Sequence, residues 1–354
     1  MTRFLRKLGL SALLGCCSNC GGHSLDLDQA TPNVESAGAG GVGAVQSVAL
    51  KHIINEFFVD EGQIFAQVDG ARIQSCAFAQ CASAVSDFGI SATYAFYALS
   101  ADDLYFAQAQ TRSKFDDADL LRCSRAACQG GPEYVFGDHV DSVAGWSVVV
   151  DEKYVYWGST LDILRCPLSG CGEVPELVAK GQNTLQIDQS RDRLYYMGFD
   201  SALRAVTVQS VPKDGSAAPT TLAPAGESSS DGVRVDAMNA YWVNGTAHHI
   251  ESCPLAGCNG SPTTLVATDT PKNTLKVDAA GLYWIEVEDE KYSVRFCPLV
   301  GCPPGSEPSV LVADAVHQYQ LDSTYLYWIN ALEQSNAVDP FSTLYRVAKP
   351  TPAR

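Results

Sequence analysis

The sequence predicts an all-β protein, a single β-propeller of about seven four-stranded blades closed by pairing of its N- and C-terminal strands. Three observations predict this fold. A unit repeats with a period of about 44 residues. Each unit contains short segments of alternating polarity separated by turn residues. Cysteine pairs recur at one fixed spacing. Four-stranded units of this length are typical of propeller blades, which bury their faces only against neighbouring blades.

The first half of each unit is an apolar strand that ends in an anchor residue, then a short turn and an aromatic pair, as in VVVDEKYVYW at 148–157. Asp is expected to accept backbone N–H bonds in that turn, and the aromatic pair is expected to pack between blades. A functional ring of carboxylates is the alternative interpretation of the anchors. The anchors are Asp60, Ser100, Asp151, Asp188, Asp236, Asp278 and Asp322.

The second half of each unit is a strand, a hairpin with two cysteines and a last short strand, as in ILRCPLSGCGEVPELVA at 163–179. Pro and Gly favour a tight turn there, so the two cysteines can face each other. Zinc sites usually bring two closely spaced pairs together, and redox dithiols usually have two intervening residues. We therefore favour structural disulfides over both alternatives. The predicted pairs are Cys76–Cys81, Cys123–Cys128, Cys166–Cys171, Cys253–Cys258 and Cys297–Cys302.

The last unit has three strand-like segments, at 318–321, 326–329 and 343–347, and then stops. Residues 44–50 have the alternating pattern of the missing outer strand. We therefore predict that this N-terminal segment completes the last blade and closes the ring. Because the second unit is irregular, six or eight blades are the alternatives to seven.

The Asp-turn-Leu-Tyr-Trp core resembles the YWTD-type repeats of secreted propellers, although the Thr-Asp of that motif is missing. The unit at 206–223, VTVQSVPKDGSAAPTTLA, is the most similar because Lys-Asp-Gly stands where other units have cysteines. The cysteine-bearing units also resemble predicted propeller lipoproteins of Gram-negative bacteria. This resemblance covers residues 44–349 and implies a propeller fold and export, but no ligand.

Export is also predicted by the N-terminus and by the cysteines. Residues 1–15 are interpreted as a signal peptide, with a basic start and a short apolar run. Leu13-Leu14-Gly15-Cys16 resembles a bacterial lipobox, which would make Cys16 the lipidated residue and 16–43 a flexible tether to the propeller at 44–349. Ordinary secretion is the alternative. Residues 350–354 form a C-terminal tail, and persistent disulfides imply an extracytoplasmic compartment, here the periplasmic or outer-surface side of the envelope.

A candidate ligand funnel is predicted where the inner strands begin, five residues before each anchor. Loops that join second and third strands should emerge on the same face, and they contain two adjacent histidines and the acidic stretch 286–290. A polar funnel of this kind suits a small molecule, a glycan, a peptide or a metal ion. Strand capping and solvated histidines are the structural alternative. The candidate funnel residues are Asn55, Trp146, Asn183, Asp231, His248, His249, Asn273 and His317.

The net charge of −16 disfavours nucleic acid and direct binding to anionic lipid, because both need a basic surface. The chain lacks Gly-x-Ser-x-Gly, His-Glu-x-x-His and phosphate-loop motifs. A monomeric, non-catalytic binding or interaction scaffold without a cofactor or metal is therefore the leading hypothesis, with a protein, peptide or glycan ligand. The competing hypothesis is a propeller lyase, glycosidase or cofactor-dependent dehydrogenase with a site in the funnel, and a third is a structural envelope protein.

Overall fold

The structure is a computed structural model in which some positions are described by their backbone alone. It describes residues 44–50, 54–69, 72–91, 97–109, 118–126, 128, 131–136, 148–158, 162–172, 174–180, 187–200, 205–226, 228–267, 272–289, 291–302, 307–313, 316–330 and 342–351. The proposed signal peptide, Cys16 and the tether lie outside these residues. Within them, the only helix is a 3₁₀ turn at Phe78–Gln80, and no helix is long and apolar enough to cross a membrane.

Seven antiparallel sheets of four strands each form the blades of a seven-bladed propeller, which confirms the predicted fold. Six sheets follow the chain order. Blades 1 to 3 are β2–β5 (Ile54–Asp60, Gln63–Val68, Arg72–Ala77, Ser86–Ser91), β6–β9 (Tyr97–Leu99, Asp103–Ala109, Ala118–Ser124, Glu133–Phe136) and β10–β13 (Val148–Val150, Tyr154–Gly158, Asp162–Pro167, Glu176–Lys180). Blades 4 to 6 are β14–β17 (Ile187–Ser190, Arg193–Asp200, Ala205–Pro212, Thr220–Gly226), β18–β21 (Ser228–Val235, Asn239–Asn244, His249–Pro254, Thr263–Val266) and β22–β25 (Lys272–Val277, Gly281–Glu288, Lys291–Pro298, Ser309–Val312).

Blade 7 takes strands from both ends of the described chain. Its order is β26 (Val316–Leu321), β27 (Tyr325–Asn330), β28 (Thr343–Ala348) and then β1 (Gln46–Ala49). The outer pair is antiparallel, with Gln46 opposite Arg346 and Ala49 opposite Thr343. The guanidinium of Arg346 donates to the side chain of Gln46 at 2.7 Å and stacks on the rings of Phe78 and Tyr325. The predicted closure by the N-terminal strand is therefore confirmed.

The first strand of each blade is the innermost one. First strands of neighbouring blades contact each other, as β18 does with β22 and β2 does with β26. They enclose the axis of the ring, and we call the space between them the axial channel. Two ends of the ring follow from the antiparallel order. The anchor turns and cysteine hairpins share one end, the turn face, and the starts of the inner strands share the other, the funnel face.

The hydrophobic core is divided into seven clusters, one at each interface between adjacent blades. The aromatic pairs of the repeat supply the largest fully buried side chains, among them Trp157, Trp242, Trp284 and Trp328. A sheet buries both of its faces only when it has a neighbouring sheet on each side. An open ring would leave one face of the first blade and one face of the last blade exposed, so burial of all seven clusters requires a closed ring.

The cysteine hairpins are contacts between blades, and all five predicted disulfides are present, with Cα–Cα distances from 5.0 to 5.5 Å. Each disulfide lies in the cluster that its blade shares with the preceding blade. The hairpin backbone touches the outer strand of that preceding blade. Cys171 N–H donates to the carbonyl of Val135 at 3.2 Å, for example, and a Cβ on Gly301 would stand 2.8 Å from the carbonyl oxygen of Leu265.

The blades that lack a cysteine pair, the fourth and the seventh, place valines at the corresponding buried sites, Val211 and Val347. Two residues later each has a lysine that pairs with the anchor of the preceding blade. Lys213 Nζ lies 3.0 Å from Asp151 Oδ2, and Lys349 pairs with Asp278. An ion pair thus occurs at each of the two interfaces without a disulfide.

Candidate functional site

The anchor residues hold the turn between first and second strands. Asp151 Oδ1 accepts the backbone N–H groups of Lys153 and Tyr154, both at 2.9 Å, and Asp236, Asp278 and Asp322 repeat this arrangement. The hydroxyl of Tyr156, first of the aromatic pair, donates to Asp151 Oδ2. Burial opposes ionisation of Asp151, but these backbone bonds and Lys213 lower its pKa below the ordinary value. The structural interpretation of these anchors is confirmed.

The anchor of blade 4 differs because the segment between the anchor and the aromatic pair is two residues longer, which places Asp188 inside β14 instead of at its end. Asp188 accepts the N–H of Gln189 at 2.7 Å and, across the interface, the N–H of Val235 in the next blade at 3.0 Å. Burial raises the pKa of this carboxyl, and the charge of Arg234 opposes the rise. This anchor therefore links two blades through the backbone rather than through a lysine.

The predicted funnel residues separate into an inner and an outer set. Asn55, Asp231, Asn273 and His317 lie near the starts of the inner strands β2, β18, β22 and β26. Among them, the structure describes the side chain of His317, which is exposed. Because β2 contacts β26 and β18 contacts β22, these positions fall on neighbouring strands at one end of the ring. Trp146 and Asn183 lie outside the described residues.

The outer set is the histidine pair of blade 5. His248 is the last residue of the turn between β19 and β20, with a φ of 55°, and His249 is the first residue of β20. This turn joins the second and third strands, so the pair lies farther from the axis than the starts of β18 and β22. Among the described residues, no group of three or more His, Cys, Asp or Glu is arranged to hold a metal ion.

The acidic stretch at 286–290 was predicted to be part of a loop, but most of it is strand. Glu286 and Glu288 belong to β23, and Glu286 is buried. Its carboxylate pairs with Arg295 of β24 at 2.7 Å. The prediction failed because the β23–β24 hairpin extends two residues beyond what its apolar pattern indicates, and a cross-strand ion pair stabilises that extension.

Sequence reasoning missed a set of side chains deeper in the axial channel, two residues before each anchor. The hydrogen bonds of two of them show that they point toward the next blade. Arg234 Nε donates to the carbonyl of Leu275 at 3.0 Å, and Gln320 Nε2 donates to that of Phe57 at 2.8 Å. We call this set the channel layer. Its described members are Phe58, Ala98, Val149, Arg234, Lys276 and Gln320, and Gln186 lies outside the described residues.

The channel layer is apolar on one side and cationic on the other. Blades 1 to 3 contribute Phe58, Ala98 and Val149, whereas blades 5 and 6 contribute Arg234 and Lys276. Except for Ala98, the described members remain partly exposed in the middle of their strands, whereas the residue just before each of these members is buried. Phe58 and Val149 also pack against the clusters between blades 1 and 2 and between blades 3 and 4, so the layer lies where the blade interfaces meet the channel.

Glu56 lies one step toward the funnel face from Phe58 on the same strand. Burial raises the pKa of its carboxyl from the ordinary 4.5 to about 7, and the charge of Lys276 opposes the rise. The two residues belong to blades 1 and 6, with blade 7 between them. Gln318, at the position of blade 7 that corresponds to Glu56, has a buried Oε1 without a hydrogen-bond partner in the described part of the chain.

Two cavities lie away from the channel layer. One, of about 660 Å³, opens on the turn face between blades 6 and 7 and is lined by the anchor turns of both, including Asp278 and Asp322, and by Lys349. These charged groups already bind each other or backbone N–H groups. The other, of about 250 Å³, is lined mainly by β3, β4 and the cysteine hairpin of blade 1.

The comparisons with known proteins agree with this architecture. Neither a family model nor a curated protein sequence matches the chain. The chain is a seven-bladed β-propeller. It is similar to the computationally designed protein Ika8, with a TM-score of 0.51 and 9% identity over 80% of this chain and 82% of that one.

Two natural proteins are also similar. PorZ is described as an essential bacterial surface component of the type-IX secretion system of Porphyromonas gingivalis. It has a TM-score of 0.54 and 13% identity over 88% of this chain. The match spans 40% of the PorZ chain. BamB from Moraxella catarrhalis has a TM-score of 0.49 and 12% identity over 90% of this chain and 94% of that one. At these identities the likeness concerns the fold alone.

Proposed function

We propose that this propeller is an exported, lipid-anchored binding scaffold of the bacterial envelope, which holds its ligand at the axis of the ring. The observation that carries the proposal is the combination of a rigid closed frame with partly exposed charged and polar side chains, Arg234, Lys276 and Gln320, on its inner strands. Every interface between blades has its own buried cluster, and five interfaces also contain a disulfide. Such a frame changes shape little when a ligand binds, which favours preorganised recognition.

The cysteines support the extracytoplasmic part of the proposal. All ten cysteines in the described part of the chain form disulfides, and disulfides of this density persist in oxidising compartments. PorZ, which is similar in fold, is described as a bacterial surface component, so a propeller domain of this kind is used in that setting.

A thermal-shift screen tests the binding function. The oxidised full chain is heated with glycans, short peptides, small organic acids and divalent metals. A ligand that binds the folded state alone raises the melting temperature by mass action, by about 2.7 kcal/mol of stabilisation at a hundredfold excess over Kd. A shift with any member supports the scaffold. If no member shifts the melting temperature and no protein is captured from envelope extracts, the proposal is wrong.

Fractionation tests the anchor. The full chain should enter the detergent phase. The Cys16→Ser variant should move to the aqueous phase, because it lacks the residue to which the proposed lipid is attached. Cys20→Ser is the matched control and should leave the partition unchanged. An aqueous wild-type protein would contradict the anchor without affecting the binding proposal.

A further inference from the structure

The sequence contains two Asn-Gly pairs, and the fold places them in different environments. They are Asn244-Gly245 and Asn259-Gly260, both in blade 5. Glycine after asparagine leaves its backbone nitrogen open to the asparagine side chain, because glycine has no Cβ to block the approach. An Asn-Gly pair can therefore cyclise to a succinimide, which water opens to aspartate or isoaspartate. In a folded protein this reaction depends on how firmly the asparagine side chain is held.

Asn244 is held at both ends of its side-chain amide. Its Nδ2 donates to Glu251 Oε1 at 3.0 Å, and Glu251 is itself buried. Its Oδ1 accepts the backbone N–H groups of Thr246 and Ala247, at 3.2 and 3.1 Å. The amide is also closely packed, since a Cβ on Gly226 would clash with this Oδ1. The side chain therefore cannot turn toward the next backbone nitrogen without breaking these contacts.

Asn259 stands in an exposed tight turn. Asn259 and Gly260 have φ values of 54° and 75°, and the N–H of Ser261 donates to the carbonyl of Cys258 at 3.0 Å. Positive φ at both central residues is typical of a type I′ turn. The hydrogen bond that closes the turn uses neither the Asn259 amide nor the Gly260 nitrogen. Both residues are exposed, and a Cβ on Gly260 would meet nothing within 4 Å, so the reacting groups are accessible to water.

We propose that Asn259 is a site of spontaneous deamidation and that the fold protects Asn244 from the same reaction. The Gly260 nitrogen attacks Cγ of Asn259 and gives its proton to water as the new N–C bond forms. The Cγ–Nδ2 bond then breaks, and the amide nitrogen takes up a proton and leaves as ammonia. Water opens the succinimide at either carbonyl, which yields aspartate or isoaspartate. Water is the sole co-reactant, so the inference is independent of the binding function.

The product lies beside a contact between two blades. The turn begins at Cys258, whose Sγ lies 3.7 Å from the carbonyl oxygen of Leu222 in the outer strand of blade 4. Deamidation adds a negative charge to a chain whose net charge is already −16, and isoaspartate also lengthens the main chain of the turn by a methylene group. Aged molecules therefore differ from new ones in charge, and anion exchange separates the two forms.

Ageing of the oxidised full chain at mildly alkaline pH, followed by anion exchange and peptide mapping, tests the proposal. An acidic form should accumulate, with aspartate and isoaspartate at position 259. Asn244 in the same molecules is the matched control. It should react at least about tenfold more slowly, because its three side-chain hydrogen bonds must open first. Asn259→Gln should abolish the acidic form, since the longer side chain would have to close a larger ring.

Two further measurements separate the effect of the fold from that of the sequence. In the reduced, denatured chain both asparagines should deamidate at similar rates, because both precede glycine. A difference that persisted there would overturn the protective role of the fold. In the folded chain the rate at Asn259 should rise with pH, since the attacking nitrogen must lose its proton, and a rate independent of pH would contradict the succinimide route.

Three results in the folded protein would overturn the inference as a whole. These are the absence of an acidic form, deamidation of Asn244 as fast as that of Asn259, and an Asn259→Gln variant that ages like the wild type. None of these measurements involves a ligand, so their outcome and that of the thermal-shift screen are separate.

Discussion

At the scale of single residues, the ion pair between Lys213 and Asp151, at an interface without a disulfide, makes a measurable contribution to stability. Lys213 and Asp151 are both largely buried, with side-chain exposures of 12% and 25%. Lys213→Met should lower the free energy of unfolding by about 1–3 kcal/mol, because Asp151 keeps its partly buried charge and loses a partner. Urea unfolding measures the change. Lys153→Met, in the exposed turn beside the same aspartate, should cost less than about 0.5 kcal/mol.

The pH profile of this pair has a defined sign. The pKa of Asp151 in the folded state lies below its ordinary value. Ionised Asp151 therefore adds to the free energy of unfolding at pH values above the ordinary pKa, and this stabilisation is lost as the pH falls through the folded-state pKa. Lys213→Met should therefore differ from wild type most at neutral pH and least in acid. A difference that grew on acidification would contradict the assignment.

The effect of Glu56 on stability has the opposite pH dependence. Its pKa is raised from 4.5 to about 7 in the fold, so the folded chain holds a proton that the unfolded chain has already released. Stability should fall as the pH rises between these values, by roughly 1–3 kcal/mol. Glu56→Gln should flatten that fall in thermal unfolding from pH 5 to 8. The exposed Glu152→Gln serves as the control, and an unchanged profile in Glu56→Gln would refute the prediction.

At the scale of elements, the cysteine hairpin needs a left-handed backbone at its glycine and packs closely against the preceding blade. Two glycines allow these two requirements to be tested separately. Gly257 and Gly301 occupy the same place in successive hairpins, with φ of 100° and 88°. A Cβ on Gly257 meets nothing within 4 Å, whereas one on Gly301 meets the carbonyl of Leu265 at 2.8 Å.

Gly257→Ala should therefore cost about 1–2 kcal/mol, from the left-handed backbone alone. Gly301→Ala should cost about 2–4 kcal/mol, because the hairpin must also move away from blade 5. Chemical denaturation of both variants checks the order. Equal losses in the free energy of unfolding would mean that close packing of the hairpin against blade 5 does not contribute to stability.

The elements also show what sequence can and cannot predict. Turn chemistry and period-two apolar runs are local, so they predicted the blades, the closing strand and the disulfides. Even the irregular unit anchored by Ser100 forms a blade, with Ser100 Oγ accepting the N–H of Asp103 in place of a carboxylate. The repeat pattern tolerates that change because the turn needs one acceptor, and a hydroxyl supplies it.

The channel layer was missed for a physical reason. Which side chains line the channel depends on how each inner strand is rotated relative to its neighbours, and a single strand does not contain that information. The sequence did contain a signal: the residue type two positions before the anchor varies from blade to blade, as Phe58, Val149, Arg234 and Lys276 show. Structural positions of the repeat, by contrast, are nearly uniform.

At the scale of the whole molecule, the ring depends on β1. A chain that begins at residue 51 lacks this strand and exposes the edge of β28, whereas one that begins at residue 44 keeps it. The shorter chain should melt several degrees lower and associate in a concentration-dependent way, because an open strand edge pairs with other chains. Thermal unfolding and sedimentation compare the two. If both chains are monomers and melt at the same temperature, β1 does not stabilise the closed ring.

The pairing of distant strands with local disulfides also sets an order for biosynthesis. Each cysteine finds its partner five residues away, so oxidation can proceed as the chain emerges, with little opportunity for shuffling between blades. Closure differs, because Gln46 must wait for Arg346, 300 residues later in translation. Until β1 pairs with β28, the first and last blades each leave uncovered the face that forms their shared cluster, and these two faces are the surfaces most prone to aggregation during folding.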